Sequence, residues 1–366
     1  MKKISNLLIL IIFGTTLISC LATKKSTLKA SPEIKNVILM IGDGMGLPDV
    51  YAAMTVSEKP LNIERCKIIG LQTTFSADNY ITDSGAAGTA LATGSKTRNG
   101  AIGVDSQGNR LKSILEIAED HGLATGLVST SSITDATPAS FIAHELSRNS
   151  YEAIAMDFLK TDIDVFIGGG YDDFAKRKDK LNLLDSLKFR GYEVDTTINM
   201  VMKSASGKLA GLTAPFNNPV RLEGRGDMLP ESTSKAIEIL SKNKKGFFLM
   251  VEGSEIDKVA HHNVADTLID ETLDFDKAVG VALDFAENDG HTLVVITADH
   301  ETGGVTITGG DKKTHKVKLS FSSKGHTAVP VPVYAYGAGA EKFMGIYDNT
   351  DIFKKILASF GFSLLK

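Results

Sequence analysis

The sequence predicts an α/β fold: a three-layer sandwich with a central, mainly parallel sheet covered by helices on both faces. Short, largely apolar runs at residues 37–41, 123–128, 165–167, 247–251 and 293–296 have the character of strands buried on both faces. Stretches of helical pattern lie between them, at residues 111–120, 151–160, 232–241 and 266–287, and such alternation favours parallel strands joined by crossover helices. Polar clusters begin where the apolar runs stop, and in open α/β sheets ligands bind beyond the carboxyl ends of the strands. The 366 residues, 43% hydrophobic and 23% charged, are enough for a large core. A formal net charge of −4 leaves no basic footprint, which argues against nucleic acid as a specific partner.

Residues 1–20 read as a signal segment. Lys2 and Lys3 precede an apolar stretch over residues 7–18 that is short for a membrane span. It ends in Leu17-Ile18-Ser19-Cys20, which resembles a bacterial lipoprotein cleavage box. Cys20 is therefore expected to become a lipidated N-terminus on an exported, membrane-anchored protein, on the periplasmic or cell-surface side. Residues 21–35, polar and rich in Lys and Ser, read as a tether, and residues 36–366 as the folded domain. Only Cys66 then remains, so no intrachain disulfide forms. It is read as a buried structural thiol.

The first strand leads to Gly42-Asp43-Gly44, where Asp43 taken alone fits a turn aspartate that caps the next helix. Further on, Thr82-Asp83-Ser84-Gly85-Ala86-Ala87-Gly88-Thr89-Ala90 sets a serine between an acid and a string of tiny residues. Small residues let a ligand approach the backbone. A helix starting at Ser84 would turn free N–H groups toward a bound anion, while Asp83 caps it. After the second strand, Asp135-Ala136-Thr137-Pro138 fits a helix start, and Arg148, expected on a facing helix, offers a bidentate grip on phosphate. Gly168-Gly169-Gly170 reads as a tight turn, since no phosphate-loop motif accompanies it.

Glu252 ends the next strand, and Asp257 and His261 follow at i and i+4, on one helical face. Such a pair can share a metal, or can be a helix acid with a surface histidine; His262 points away. Asp299-His300 ends the last strand, and that pair has no good packing role there. The stretch 309–323 is polar and less regular, expected as a surface excursion, and His326 follows in a loop. Asp43, Asp299 and His300 then suit one zinc, and Asp257, His261 and His326 a second, because three mixed N and O ligands leave an open position. Asp43, Thr137 and Glu252 form an oxygen-only set that suits magnesium.

The runs Asp-Ser-Gly-Ala-Ala-Gly-Thr-Ala, Asp-Ala-Thr-Pro-Ala, Val-Glu-Gly-Ser-Glu-Ile-Asp-Lys and Thr-Ala-Asp-His-Glu-Thr-Gly-Gly, in that order, resemble the alkaline phosphatase family over nearly the whole mature chain. The resemblance implies phosphate monoester hydrolysis with two zinc ions and one magnesium ion. It makes Ser84 the nucleophile that forms a phosphoserine, and Arg148 the clamp on the phosphoryl oxygens. It gives Asp135 and Lys258 a bacterial-type role around magnesium and phosphate, where other members carry histidines. It also implies small phosphate monoesters as substrates and a homodimer as the common assembly. A sulfatase reading fails because no Cys/Ser-x-Pro-x-Arg pattern follows Ser84, and a classical serine esterase because Ser84 lacks the G-x-S-x-G context.

Overall fold

The computed structural model describes residues 33–363. The signal segment, Cys20 and most of the tether lie outside the described residues. In chain order, β1 (Asn36–Gly42) leads to α1 (Leu47–Val56), and β2 (Ile68–Thr73) precedes α2 (Ser84–Thr93) and α3 (Ile114–Asp120). β3 (Ala124–Ser132) ends beside the short α4 (Ala136–Ala139), and α5 (Tyr151–Asp157) leads to β4 (Val165–Gly169). Next come α6 (Tyr171–Ala175), α7 (Leu183–Phe189), β5 (Glu193–Asp195), α8 (Ile198–Lys203), β6 (Leu209–Leu212) and α9 (Met228–Leu240). β7 (Phe247–Gly253), α10 (Glu255–His261), α11 (Ala265–Asp289) and β8 (Thr292–Thr297) complete the centre. The chain finishes with β9 (Glu301–Thr302), β10 (Val305–Asp311), β11 (Lys316–Phe321), β12 (His326–Thr327), β13 (Val331–Gly337), β14 (Gly345–Asp348) and α12 (Thr350–Ser359).

Ten strands form one sheet in the order β14-β2-β13-β8-β1-β7-β3-β4-β6-β5. Only β13 runs antiparallel to its neighbours, β2 and β8. The expected mainly parallel sheet is therefore present. In the central strand, Val37, Leu39 and Ile41 join one apolar cluster while Ile38 and Met40 join another. Side chains alternate across a strand, so each face of the sheet carries its own core beneath a helical layer. Each fully buried Ile or Leu contributes ~1.5–3 kcal/mol relative to exposure.

The register of three strands builds the site. Ile41 of β1 stands opposite Glu252 of β7 and Thr297 of β8, so Asp43, Glu252 and Asp299 emerge together at the carboxyl ends. Ser129 of β3 pairs with Glu252 from the other side.

Several local expectations change. Residues 111–113 are not helical: Ser113 caps α3, accepting from the N–H of Glu116 and so fixing the start there. The stretch 309–323 is not irregular but belongs largely to the antiparallel hairpin of β10 and β11. Gly168 and Gly169 lie inside β4, and only Gly170, at φ 92°, makes the turn. Arg148 sits on no helix; it occupies a turn between α4 and α5, its N–H donating to Gly100 O at 2.7 Å. Cys66 is a free, buried thiol, and burial pushes its pKa up to about 12. The thiolate that would bind metal is thereby disfavoured.

Candidate active site and metal centre

Ser84 is the first residue of α2, and Asp83 caps that helix by accepting from the Ala86 N–H at 2.9 Å. The Ser84 hydroxyl lies 3.2 Å from His300 Nε2. His300 is fully buried, with its Nε2 at 3.2 Å from Asp299 Oδ2 and 3.6 Å from Asp43 Oδ1. Beside this group, His261 Nε2 stands 3.3 Å from Asp257 Oδ2, while His326 Nε2 stands 3.6 Å from Asp257 Oδ1 and 3.2 Å from His261 Nε2. The rings of His300 and His326 stack at 3.6 Å, which joins the two groups face to face. Among the described residues, the tight clusters able to hold an ion are Asp43, Asp299 and His300, and Asp257, His300 and His326; in the second, His300 stands where His261 was expected, and His261 lies beside it against Asp257.

The imidazoles are aimed by their other nitrogens. His261 Nδ1 meets Lys324 O at 2.6 Å and His326 Nδ1 meets Thr82 O at 2.8 Å. A carbonyl only accepts, so each Nδ1 carries a proton and each Nε2 is turned inward toward the acids. Thr302 does the same for His300. Its hydroxyl donates to Asp257, so it accepts from His300 Nδ1 at 3.2 Å. One threonine therefore links an acid of one group to the imidazole of the other.

The oxygen-rich group lies on the far side of Asp43. Thr137 Oγ1 is 3.4 Å from Asp43 Oδ2, and Glu252 accepts from both Ser129 and Ser131. Asp135 caps α4 and faces two cations, with Arg148 at 3.3 Å and Lys258 at 3.9 Å. Lys258 is also held by Glu255 at 2.8 Å. Arg148 has a second anchor in Asp83, at 3.1 Å. Asp83, Thr302, Ser129 and Ser131 were not singled out for these roles in the sequence, because a hydroxyl or an acid near a helix start reads as a local cap.

Charge is unbalanced here. Among the described residues, Asp43, Asp135, Glu252, Asp257 and Asp299 face only Arg148 and Lys258 as fixed cations. Burial, reinforced by Asp299, Asp257 and Glu252, pushes the Asp43 carboxyl well above its ordinary range. Burial likewise raises Glu252 to about 7, against the Ser129 hydrogen bond. Asp257 goes the other way: burial opposes it, but the hydrogen bond from His261 and the nearby histidines hold it well below the usual range. That same hydrogen bond lifts His261 to about 9. Burial lowers His300 to about 4, so at neutral pH it is the neutral ligand a cation requires. Asp43 Oδ1 and Asp299 Oδ2 are buried without any hydrogen-bond partner. An unpartnered buried carboxylate oxygen is costly unless a cation meets it. The donor set therefore fits divalent metal, with mixed N and O donors suiting zinc and oxygen donors suiting magnesium.

The family model described as alkaline phosphatase matches residues 34–320. The chain belongs to the alkaline phosphatase family. It is accordingly an alkaline phosphatase-type phosphoric monoester hydrolase, and the family is metal-dependent. It is similar to alkaline phosphatase 4 of Bacillus subtilis, at 37% identity over 90% of each chain. Alkaline phosphatase of Escherichia coli K12 is 34% identical, over 93% of this chain and 88% of its own. Among solved structures, a histidine-to-aspartate mutant of the alkaline phosphatase from the Antarctic bacterium TAB5, with Mg bound in its M3 site, superposes with a TM-score of 0.86. It is 43% identical, and the match covers 91% of this chain and all of that one.

Proposed function

We propose that this alkaline phosphatase works through a phosphoserine at Ser84, with two zinc ions and one magnesium ion held around it. Asp43, Asp299 and His300 would hold one zinc, and Asp257, His261 and His326 the other. Asp43, Thr137 and Glu252 would hold magnesium, with Asp135 beside them. When bound, these metals supply Lewis acidity that lowers the pKa of a hydroxyl or water and offsets charge on the attacking and leaving oxygens. The observation that carries the reading is the Ser84 hydroxyl, 3.2 Å from His300 Nε2 and bordered by two ligand groups.

In the first step Ser84 Oγ bonds to phosphorus as the bond to the ester oxygen breaks, and the alcohol leaves with a proton. Water then attacks the same phosphorus, the Oγ–P bond breaks, and Ser84 regains its proton as inorganic phosphate departs. Arg148 grips two nonbridging oxygens, and its anchors Asp83 and Asp135 fix the fork beforehand. Free N–H groups at the start of α2 face the same oxygens. Lys258 adds positive charge, steadied by Glu255. A doubly charged terminal phosphoryl group profits most from this arrangement, which favours monoesters over diesters.

Support for magnesium comes from the TAB5 mutant, in which an aspartate replaces a histidine and Mg occupies the M3 site. Asp135 here is an aspartate where the resemblance puts histidine in other members. The decisive experiment is acid quenching during turnover of 4-nitrophenyl phosphate, followed by mass spectrometry of the peptide that holds Ser84. Phosphate on Ser84 is expected, with none in Ser84→Ala and kcat reduced by ~10³-fold or more at unchanged zinc content. Turnover at the parental rate in that variant would falsify the nucleophile. At the cellular level, Cys20 is proposed as the lipid anchor of an exported homodimer. Cys20→Ser should then release activity from the membrane fraction, and sedimentation should give twice the chain mass.

A further inference from the structure

Beyond Asp135 the surface opens into a cavity of about 200 Å³ lined by Ser132, Asp135, Tyr151, Asp173, Phe216 and Asn217. It adjoins a groove of about 470 Å³ that shares Tyr151, Asp173 and Phe216. Tyr151 is 39% exposed and Phe216 65% exposed, so two aromatic rings stand open to solvent beside the Asp135–Arg148 pair.

Both rings stand on tied backbone. Gly170 N–H donates to Phe216 O at 2.8 Å, and the N–H groups of Tyr171 and Asp172 donate to Ala214 O and Pro215 O, each at 3.0 Å. The Asn217 side chain accepts from Ser132 N–H at 2.9 Å. A Cβ on Gly169 would lie 1.7 Å from Phe216 O, so this loop closes on β4 only because glycine stands there. Tyr151 opens α5, three residues after Arg148. Aromatic side chains held on ordered backbone lose little entropy when a ring settles against them.

Charge narrows the ligand. The groove carries Glu152, Asp172 and Asp173 against Lys176 and Lys178, and Lys176 is already paired with Asp172 at 3.1 Å. No surplus of positive charge waits for a second phosphate. We infer that this cleft is a subsite for an aromatic ring on the leaving alcohol, and that nucleoside 5′-monophosphates are the substrate class it selects. The inference rests on the reading above, which sets the reacting phosphoryl group between Ser84 and Arg148.

The test compares adenosine 5′-monophosphate with ribose 5-phosphate on the metal-loaded full chain. Both release a primary 5′-hydroxyl, and they differ chiefly in the base. The parent enzyme should favour the nucleotide in kcat/KM by about tenfold, the scale of one base–aromatic stack. Phe216→Ala and Tyr151→Ala should each bring that ratio toward one and leave ribose 5-phosphate unchanged, while Phe216→Tyr keeps the preference. A parental ratio near one, a preference that survives both truncations, or an equal fall for both substrates would overturn the subsite. Failure of the phosphoserine reading registers elsewhere, as turnover retained in Ser84→Ala.

Discussion

Arg225, Glu271 and Asp274 are as deeply buried as Asp43, Asp299 and Asp257, yet the two sets of charges meet burial in opposite ways. In the first, the Arg225 guanidinium bonds Glu271 at 2.6 Å and Asp274 at 2.8 Å, and Arg221 reaches Asp270 at 2.8 Å. The countercharge is covalently part of the chain. In the second, carboxylates crowd together at the ends of β1 and β8 and on α10, and among the described residues no lysine or arginine reaches their centre. The nearest fixed cations, Arg148 and Lys258, are turned toward Asp83, Asp135 and Glu255. Both sets are buried acids, so burial alone does not mark a functional site. The useful sign is an acid cluster whose countercharge must come from outside.

The largest test of that contrast is chelation. Stripping the metals should abolish phosphatase turnover and lower the melting temperature, since each ion at a thousandfold excess over its Kd stabilises the fold by about 4 kcal/mol. The Arg225 ion pairs should be indifferent to chelator, since their countercharge does not leave with the metal. The converse is Arg225→Met, which takes the buried guanidinium from Glu271 and Asp274 and leaves Asp274 only Arg221, at 3.5 Å. Urea unfolding should show a loss of about 3–5 kcal/mol, with kcat and bound zinc per folded molecule unchanged.

A smaller effect separates ligand from ligand support. Thr302→Val removes the hydroxyl shared by Asp257 and His300 without touching a ligand, and zinc affinity by competition with a chromophoric chelator should fall ~10–100-fold. Unchanged affinity would mean that packing alone orients His300. The smallest concerns a half-buried acid, Glu119, that makes no ion pair among the described residues. Burial raises Glu119 to about 7, with hydrogen bonds from Thr125 and Asp162 opposing. Because its folded pKa exceeds its ordinary value of 4.5, its protonation favours the fold fully below about pH 4.5, and that benefit is lost as pH rises through 7. Glu119→Gln should therefore gain on the parent above pH 7, on the order of 2 °C in Tm, and show no gain at pH 4.5.

The central strands were legible because a strand buried on both faces is mostly apolar, and the charged residue at its end is then conspicuous. Asp43, Glu252 and Asp299 each follow this rule. β2 and β13 were not picked out: β2 leaves Ile68, Ile69, Leu71 and Thr73 only partly buried or exposed, and β13 contains Pro332, so neither looks like an inner strand. Arg148 was found by residue type but set on the wrong kind of element, since its position depends on a hydrogen bond to Gly100, far from it in sequence. The hairpin of β10 and β11 was hidden by its exposure, for a solvent-facing ribbon needs no apolar alternation. Thr302 lay within a motif already read, yet its double contact exists only once α10 has packed beside the segment that follows β8.

One modest pairing bears on how such chains can change length. β9 and β12 contribute two residues each, with Thr302 opposite His326 and Thr327 opposite Glu301, and the Gly303 N–H donates to Gly325 O at 3.0 Å. Glu301 reinforces the clasp by accepting from Thr327 and from the Val305 N–H. The β10–β11 ribbon starts and ends at that closed neck; its base packs on the core through Val305, Leu319 and Phe321, while its tip, residues 309–316, is exposed. Doubling a flexible loop there adds only about 0.6 kcal/mol of closure entropy, so inserted modules or fused domains can be carried at this point while His326 keeps its place.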